Sequence, residues 1–529
     1  MGVVARVSRG VHTMTSRVVA ACTALLCILY IVRLHDTPAA IGGDEAFFAN
    51  HAYAIATTGR DLNGRVLPLV VQLDRETDPG LWYQAMLVYL DAAAFLVLPF
   101  TEWAARLPVA LLAIVNIALI AVAARRYVEQ RWAASLAAFV LAVSPIYFFL
   151  SRQALDYICP ITFVIVWLHL LSRLHERPHA RIAFACGLIL GAGLFSYISS
   201  WLMMPIYLLC TWALCMTKPG AFKLCAAAAT GFLIPAALLA AWLLGHQEAW
   251  SSLFNRYGGG SGQLPGLNIN GYYRVVDFVA AYWSCWNPAQ LFLIGSSNPT
   301  IGVRVAGVFA APVAILFVAG LLSLRARPLD MVLLAGLLTS PLGPVLYGTP
   351  GAIQRQLVLL PFVAIVAARG AERLLHSSSA FARSAAIVAL ATTPLVFAYA
   401  AYDAFAERDS YVTRFDPSNF RDLTPALAAL NRDISAPQVV LAIGPYDRRA
   451  YWRFHTQKLR DPELRDKAIF WEPSGFQHAV VREHSLIVAV APSPLAERLD
   501  RACPRVASVR GEADVVVWRA NVSGCAPLP

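Results

Sequence analysis

Two adjacent carboxylates, Asp44 and Glu45, stand in the stretch Ile41-Gly42-Gly43-Asp44-Glu45-Ala46-Phe47-Phe48-Ala49, just after the first long apolar run. A carboxylate there can take a proton from an attacking hydroxyl, and partial desolvation would bring its pKa nearer to neutrality. A third acid, Asp156, closes Ser151-Arg152-Gln153-Ala154-Leu155-Asp156 between two later apolar runs. Guanidiniums occur in similar places: Arg106 opens Arg106-Leu107-Pro108, Arg152 precedes Asp156, and Arg355 sits in Gly351-Ala352-Ile353-Gln354-Arg355-Gln356. A guanidinium can hold a phosphate through two parallel hydrogen bonds. Acids that accept a proton and cations that hold a phosphate, set among apolar segments, suit transfer from an anionic lipid carrier. The acids would also suit a divalent cation, although nothing in their spacing requires one. The plainer alternative for Asp44-Glu45 is an acidic start to the helix that follows.

The elements that must carry these residues are apolar. The chain has 529 residues, of which 58% are hydrophobic and 14% charged, and its mean hydropathy is +0.57. That excludes an ordinary soluble protein and indicates a polytopic membrane protein, all-α in its membrane part. Apolar runs fall at about 18–34, 107–124, 132–150, 157–171, 182–197, 201–216, 222–244, 303–324, 329–346, 357–368 and 385–401, or about eleven crossings of ~20 residues. The first run has no convincing cleavage site after it and reads as an uncleaved transmembrane helix.

The net charge of +11 comes from short connections rather than from a nucleic-acid surface, because no aromatic-interleaved basic stripe occurs. Arg6, Arg9 and Arg17 precede the first run. Arg125, Arg126 and Arg131, then Arg173, Arg177 and Arg181, then Lys218 and Lys223 follow in later connections. Arg325 and Arg327, then Arg369, Arg373 and Arg383 complete the series. With this count all of them share one face, which the positive-inside rule makes cytoplasmic. The N-terminus is then cytoplasmic. The segments 35–106, 151–156, 245–302 and 347–356, and the region after about 402, face the other side.

In the first of those segments, Ala46 to Thr58 reads as a helix stopped by Gly59. Leu81 to Phe100, with Asp91 inside it, reads as a second helix lying at the interface, since making it a span would reverse every later loop. The run Gly258-Gly259-Gly260-Ser261-Gly262 lacks the Gly-Lys-Ser/Thr of a phosphate loop. It reads as a linker, with a hinge for a lid as the functional alternative. Tyr272, Tyr273, Tyr282, Trp283 and Trp286 suit an interfacial belt or stacking on a sugar. Gly187 and Gly191 have the spacing that lets two helices approach closely.

After residue 402 the pattern changes to a small α/β domain. Val439 to Ile443, Ser485 to Ala491 and Asp514 to Arg519 are strand-like, and Asp447 to His455 and Pro494 to Ala502 are helix-like. Most of the ten cysteines lie in apolar runs as small hydrophobes. Cys503 and Cys525 lie in this polar region, where a bridge and two free thiols are equally open. Asn521-Val522-Ser523 fits the glycosylation acceptor pattern.

The order of these pieces resembles the GT-C superfamily of integral-membrane glycosyltransferases. The resemblance is to the branch with the protein O-mannosyltransferases and the bacterial transferases that place aminoarabinose or galacturonic acid on lipopolysaccharide. It is carried by Gly43-Asp44-Glu45-Ala46-Phe47-Phe48-Ala49, Asp78-Pro79-Gly80-Leu81-Trp82-Tyr83, Arg106-Leu107-Pro108, Ser151-Arg152 with Asp156, and Arg355 ahead of Leu359-Leu360-Pro361. It covers about residues 18–373. It implies a GT-C-type bundle with juxtamembrane helices, a polyprenyl-phosphate-linked sugar donor, a lipid, glycan or protein acceptor, and inversion at the anomeric carbon. It implies Asp44 as the base, with Glu45 and Asp156 as the further acids of the site. Arg355, Arg152 and Arg75 are then the expected donor-phosphate ligands. Trp82, Tyr83, His51 and Arg106 are the expected substrate contacts. The family usually has a basic residue before Pro-Pro-Leu-Tyr-Tyr, where this chain has Asp78.

The expected organisation is a membrane glycosyltransferase module over 1–402, including loops 35–106 and 245–302, and a periplasmic α/β domain over 403–529. The expected location is the bacterial inner membrane. The rival readings are a secondary transporter, which calls for midplane acids and paired repeats, and a non-enzymatic scaffold that displays the C-terminal domain.

Overall fold

A computed structural model describes residues 17–75, 78–257, 271–296, 300–302, 305–406, 414–443, 448–471, 481–509 and 514–520. The glycine run at 258–262, the Asn521-Val522-Ser523 triplet and the side chains of Tyr272 and Tyr273 lie outside the described residues.

The chain opens with helix α1 (Arg17–Leu29) and α2 (Gly43–Thr58), then a hairpin of β1 (Val70–Asp74) and β2 (Asp78–Gln84). Helices α3 (Met86–Phe95), α4 (Glu102–Ala124), α5 (Arg131–Ala142), α6 (Pro145–Leu150), α7 (Cys159–Glu176) and α8 (Ala180–Gly193) follow. Next come α9 (Ser200–Met216), α10 (Ala221–Gly245), α11 (Gln247–Tyr257), α12 (Gly271–Ser284) and α13 (Val313–Leu321). The helical part closes with α14 (Pro328–Thr339), α15 (Leu342–Leu346), α16 (Leu359–Leu375) and α17 (Ala380–Ala406).

Among the described residues five helical stretches are long and apolar enough to cross a membrane: Glu102–Ala124, Asp156–Glu176, Ala221–Gly245, Pro328–Leu346 and Ala380–Ala406. Other apolar runs form shorter helices for local reasons. The run 132–150 divides into α5 and α6 at Ser144-Pro145, because the residue before a proline is disfavoured in helical geometry. Ser144 caps α6 by accepting the Tyr147 N–H at 3.4 Å, with Pro145 at the first helical position.

The chain divides into two compact units. One comprises residues 1–32, 65–90 and 106–406, and the other 33–64, 91–105 and 407–529. In the first unit small residues set the helix contacts. A Cβ on Gly187 would lie 1.8 Å from the Ala228 carbonyl oxygen, so α8 and α10 meet backbone to backbone as their spacing predicts. A Cβ on Gly370 of α16 would lie 1.8 Å from the Leu316 carbonyl oxygen of α13.

In the second unit a five-stranded sheet has the order Ala468–Phe470, Val439–Ala442, Leu486–Ala491, Asp514–Arg519, Arg505–Val509. The first three strands are parallel and the last two antiparallel to their neighbours. The predicted strands are therefore present, and Trp518, Val440, Ile487 and Leu499 form the core beside the sheet. The first loop also contributes to this unit: Asn50 of α2 donates to the Ala450 carbonyl at 2.9 Å, and the Phe100 and Phe454 rings lie 4.8 Å apart. Cys503 is disulfide-bonded, and its partner lies outside the described residues.

One expectation needs correcting. Leu81 to Phe100 is not a single helix. Leu81–Gln84 belongs to β2, paired with β1 in the register Val70↔Gln84 and Val71↔Tyr83, and the helix begins only at Met86. The apolar run hid a change of period from two to 3.6.

Candidate functional site

Helix α2 positions the acidic pair. Gly42 is its N-cap, with Asp44 and Glu45 in the first turn. Glu45 reaches back to accept the Gly42 N–H at 2.8 Å and is buried. The local capping role therefore belongs to Glu45, and the half-buried Asp44 is not the N-cap residue. The positive end of the helix dipole lies at both carboxylates. His51 is buried two turns later, where its Nδ1 accepts the Leu62 N–H at 3.4 Å, a contact that fixes the turn after α2.

Asp91 of α3 belongs to the same unit. It is fully buried, and neither carboxylate oxygen has a hydrogen-bond partner among the described residues. Burial, and then the charge of Glu45, push its carboxyl well above the usual carboxylate range. Sequence reading singled out the pair Asp44-Glu45 but gave Asp91 no role. Its signal was an acid standing alone in an apolar run.

The other candidate residues lie in the larger unit. Asp156 is fully buried and opens a short 3-10 turn, Asp156–Ile158. The next residue, Tyr157, packs edge-on against Tyr197, with ring centres 5.5 Å apart. Ile198, beside Tyr197, accepts the Tyr347 hydroxyl at 3.0 Å. Arg355 lies over the Tyr347 ring at 5.7 Å and donates to Thr349 Oγ1 at 2.9 Å. This chain of contacts brings Asp156 and Arg355 to the same end of the bundle. Met86, just after β2, donates its N–H to the Phe195 carbonyl at 3.3 Å, so the hairpin's exit reaches that end too.

Arg152 is fully buried, and its guanidinium donates to the Leu29 and Val32 carbonyls at the end of α1. The Phe405 ring lies 4.9 Å beneath it. These contacts tie α1 to the bundle and engage both terminal nitrogens. Arg106 is fully buried in α4. Arg75 is exposed where β1 ends. Trp82 is buried, donates from Nε1 to the Pro79 carbonyl at 3.1 Å, and carries the Arg65 guanidinium 4.7 Å over its ring. Tyr83 is half-buried on the opposite face of the strand.

Asp78 now has an account. It forms an ion pair at 2.8 Å with Arg256 of α11, and Arg65 pairs at 2.6 Å with Glu248 of the same helix. The hairpin and the segment leading into it are held to α11 by two bridges of opposite polarity. Among the described residues no group of three or more His, Cys, Asp or Glu is placed to hold a metal ion.

Residues 85–242 match the family described as dolichyl-phosphate-mannose-protein mannosyltransferase. The fold is similar to that of ArnT from Cupriavidus metallidurans bound to undecaprenyl phosphate, with a TM-score of 0.57 at 14% identity, over 94% of this chain and 96% of that one. At that identity the likeness shows a shared fold. The apo state of the same ArnT matches this chain with a TM-score of 0.54 at 14% identity, over 95% of this chain and 97% of that one. The archaeal oligosaccharyltransferase AglB from Archaeoglobus fulgidus, in complex with an inhibitory peptide and a dolichol-phosphate, matches with a TM-score of 0.50 at 13% identity. That match covers 87% of this chain and 64% of the oligosaccharyltransferase. No curated protein sequence matches this chain.

Proposed function

We propose that this chain is a glycosyltransferase of the GT-C superfamily and moves a sugar from a polyprenyl-phosphate donor to an acceptor hydroxyl, with Asp44 as the base. The observation that carries the proposal is the division of labour in the first turn of α2. Glu45 closes the helix start, and half-buried Asp44 stands beside it at the positive end of the helix. The acceptor oxygen forms a bond to the anomeric carbon while the bond from that carbon to the phosphate oxygen breaks. Asp44 takes the hydroxyl proton, and the polyprenyl phosphate leaves with the bonding electrons. Attack opposite the leaving group inverts the anomeric centre.

Arg355 is the proposed ligand of the departing phosphate. It lies over the Tyr347 ring at the end of the bundle that holds Asp156, and the planar fork of a guanidinium matches phosphate oxygens. Arg152 is assigned to fastening α1 instead. Asp156 is a further acid at the end of the bundle that holds Arg355. The likeness to an ArnT bound to undecaprenyl phosphate and to an AglB bound to a dolichol-phosphate supports a lipid-phosphate carrier. The arginine-rich connections belong to the cytoplasmic side under the positive-inside rule. Asp44 and the α/β domain then face the periplasm of a bacterial inner membrane.

The test uses membranes from cells that make the wild-type or the Asp44→Asn protein, supplied with a polyprenyl-phosphate sugar. Sugar transferred and polyprenyl phosphate released are both measured. Asp44→Asn that transfers at the wild-type rate would overturn the assignment. Mass spectrometry of lipids, lipopolysaccharide and envelope proteins from cells with and without the gene identifies the acceptor.

A further inference from the structure

The larger unit carries a second concentration of guanidiniums, at the opposite end of α16 from Arg355. Arg355 lies four residues before α16 begins at Leu359, and the helix runs 17 residues to Leu375, about 25 Å at 1.5 Å per residue. At its far end is a cavity of about 790 Å³, closed by the α4–α5 turn, the end of α7, the α13–α14 turn and the last turns of α16. That volume is in the range of small-molecule sites. Five arginines line it: Arg126, Arg325, Arg327, Arg369 and Arg373.

The carboxylates there have structural tasks. Asp330 holds the Arg369 guanidinium and accepts the Arg325 backbone N–H at 3.0 Å. Glu372 accepts the backbone N–H groups of Gln130 at 2.6 Å and Glu129 at 3.2 Å. The third, Glu129, is exposed. Arg126 pairs with Glu176 at 3.0 Å.

Three guanidiniums remain with donors to offer. Arg325 and Arg327 are exposed, and neither side chain has a hydrogen bond or ion pair among the described residues. Arg373, also exposed, has one terminal nitrogen on the Leu322 carbonyl at the end of α13. The backbone around them is firmly placed. A Cβ on Gly320 would lie 1.9 Å from the Val366 carbonyl oxygen, so α13 and α16 are locked together just before the turn that carries Arg325 and Arg327. The three cations thus converge on one concave space from two fixed segments, and planar forks of this kind match phosphate oxygens.

We propose that this cavity is a binding site for a phosphate-bearing anion, held by Arg325, Arg327 and Arg373. Its ligand chemistry is that of either an anionic phospholipid headgroup or a water-soluble pyrophosphate or phosphate ester. The site is separate from Arg355 and does not depend on the role given to Asp44.

The experiment compares the full-length protein with two double variants. Arg325→Gln/Arg327→Gln removes two charges from the cavity. Arg177→Gln/Arg181→Gln removes two exposed charges that do not line it. In one arm, native mass spectrometry counts phosphatidylglycerol retained from nanodiscs of mixed phosphatidylglycerol and phosphatidylcholine. In the other, inorganic pyrophosphate is titrated onto protein in neutral detergent and the thermal midpoint is followed. The cavity variant is expected to bind about tenfold more weakly than wild type in one arm, as befits a lost charge-assisted contact. The control variant is expected to bind as wild type does. A response in the first arm identifies a lipid headgroup, and in the second a soluble phosphate compound. Absence of binding in both arms overturns the site. So does an equal loss in both variants, which would mean surface charge alone. Matching thermal midpoints without ligand establish that the variants are folded.

Discussion

At the scale of single residues, the first turn of α2 separates two carboxylates that look equivalent in sequence. Asp44→Asn is expected to lower the transfer rate by about 10² to 10⁴, the usual contribution of a positioned base. Glu45→Gln keeps an oxygen that can accept the Gly42 N–H and is expected to retain much more activity. Glu45→Ala removes that contact and is expected to cost about 1 kcal/mol of stability, read as a lower thermal midpoint. A reversed ranking of Asp44→Asn and Glu45→Gln in the transfer assay would assign the chemistry to the wrong acid. The pair was legible because two charges after an apolar run are conspicuous and because a helix start has a local signature. Asp91 was not, since what distinguishes it is burial near Glu45, a tertiary fact. The contacts of Arg152 were hidden for a related reason: the carbonyls at 29 and 32 that it donates to lie more than 100 residues earlier.

At the scale of elements, local spacing was informative where a contact repeats along one helix and poor where it joins distant segments. Gly187 and Gly191 marked the meeting of α8 and α10 by their spacing alone. Gly187→Leu would drive its side chain into the Ala228 carbonyl, so it is expected to destabilise by about 1–3 kcal/mol or more. Gly245→Ala, where a Cβ meets nothing within 4 Å, serves as the control and should leave the thermal midpoint close to wild type. Equal midpoints for both variants would remove the close-approach explanation. By contrast, the partner of Asp78 lies 178 residues away on α11. No pattern near Asp78 points to Arg256, so the residue looked only like a missing cation. Both side chains are about a third exposed. Asp78→Asn should therefore cost no more than about 1 kcal/mol, and any larger effect on transfer would show that the hairpin's attachment matters to the reaction. The same logic explains the misread segment at 81–100. Strand β2 and helix α3 are both apolar and adjoining, so hydropathy merges them, and only the pairing with β1 separates them.

At the scale of the whole molecule, stability against pH sums every group whose protonation differs between the folded and unfolded chain. Two buried groups in the smaller unit act in opposite directions. His455 is held down to about 4, chiefly by burial and also by Lys458 and Arg421, against the pull of Glu102. The unfolded chain therefore binds a proton that the folded chain refuses, and this contribution falls as pH drops from 6.5 towards 4. Asp416 is pushed up to about 6, again chiefly by burial, although it accepts the Phe420 and Arg421 backbone N–H groups at 2.9 Å. Here the folded chain keeps a proton that the unfolded chain has lost, so the contribution falls as pH rises from about 4 to 6. The slopes oppose each other across the same interval, and their sum is expected to be nearly level between pH 4 and 6. His455→Gln should expose the Asp416 slope, with the thermal midpoint falling as pH rises through that interval. Asp416→Asn should expose the His455 slope, with the midpoint rising. Thermal unfolding of the purified protein in detergent at pH 4, 5, 6 and 7 reads both signs directly. Parallel curves for the two variants would mean that neither group titrates in the window its burial dictates.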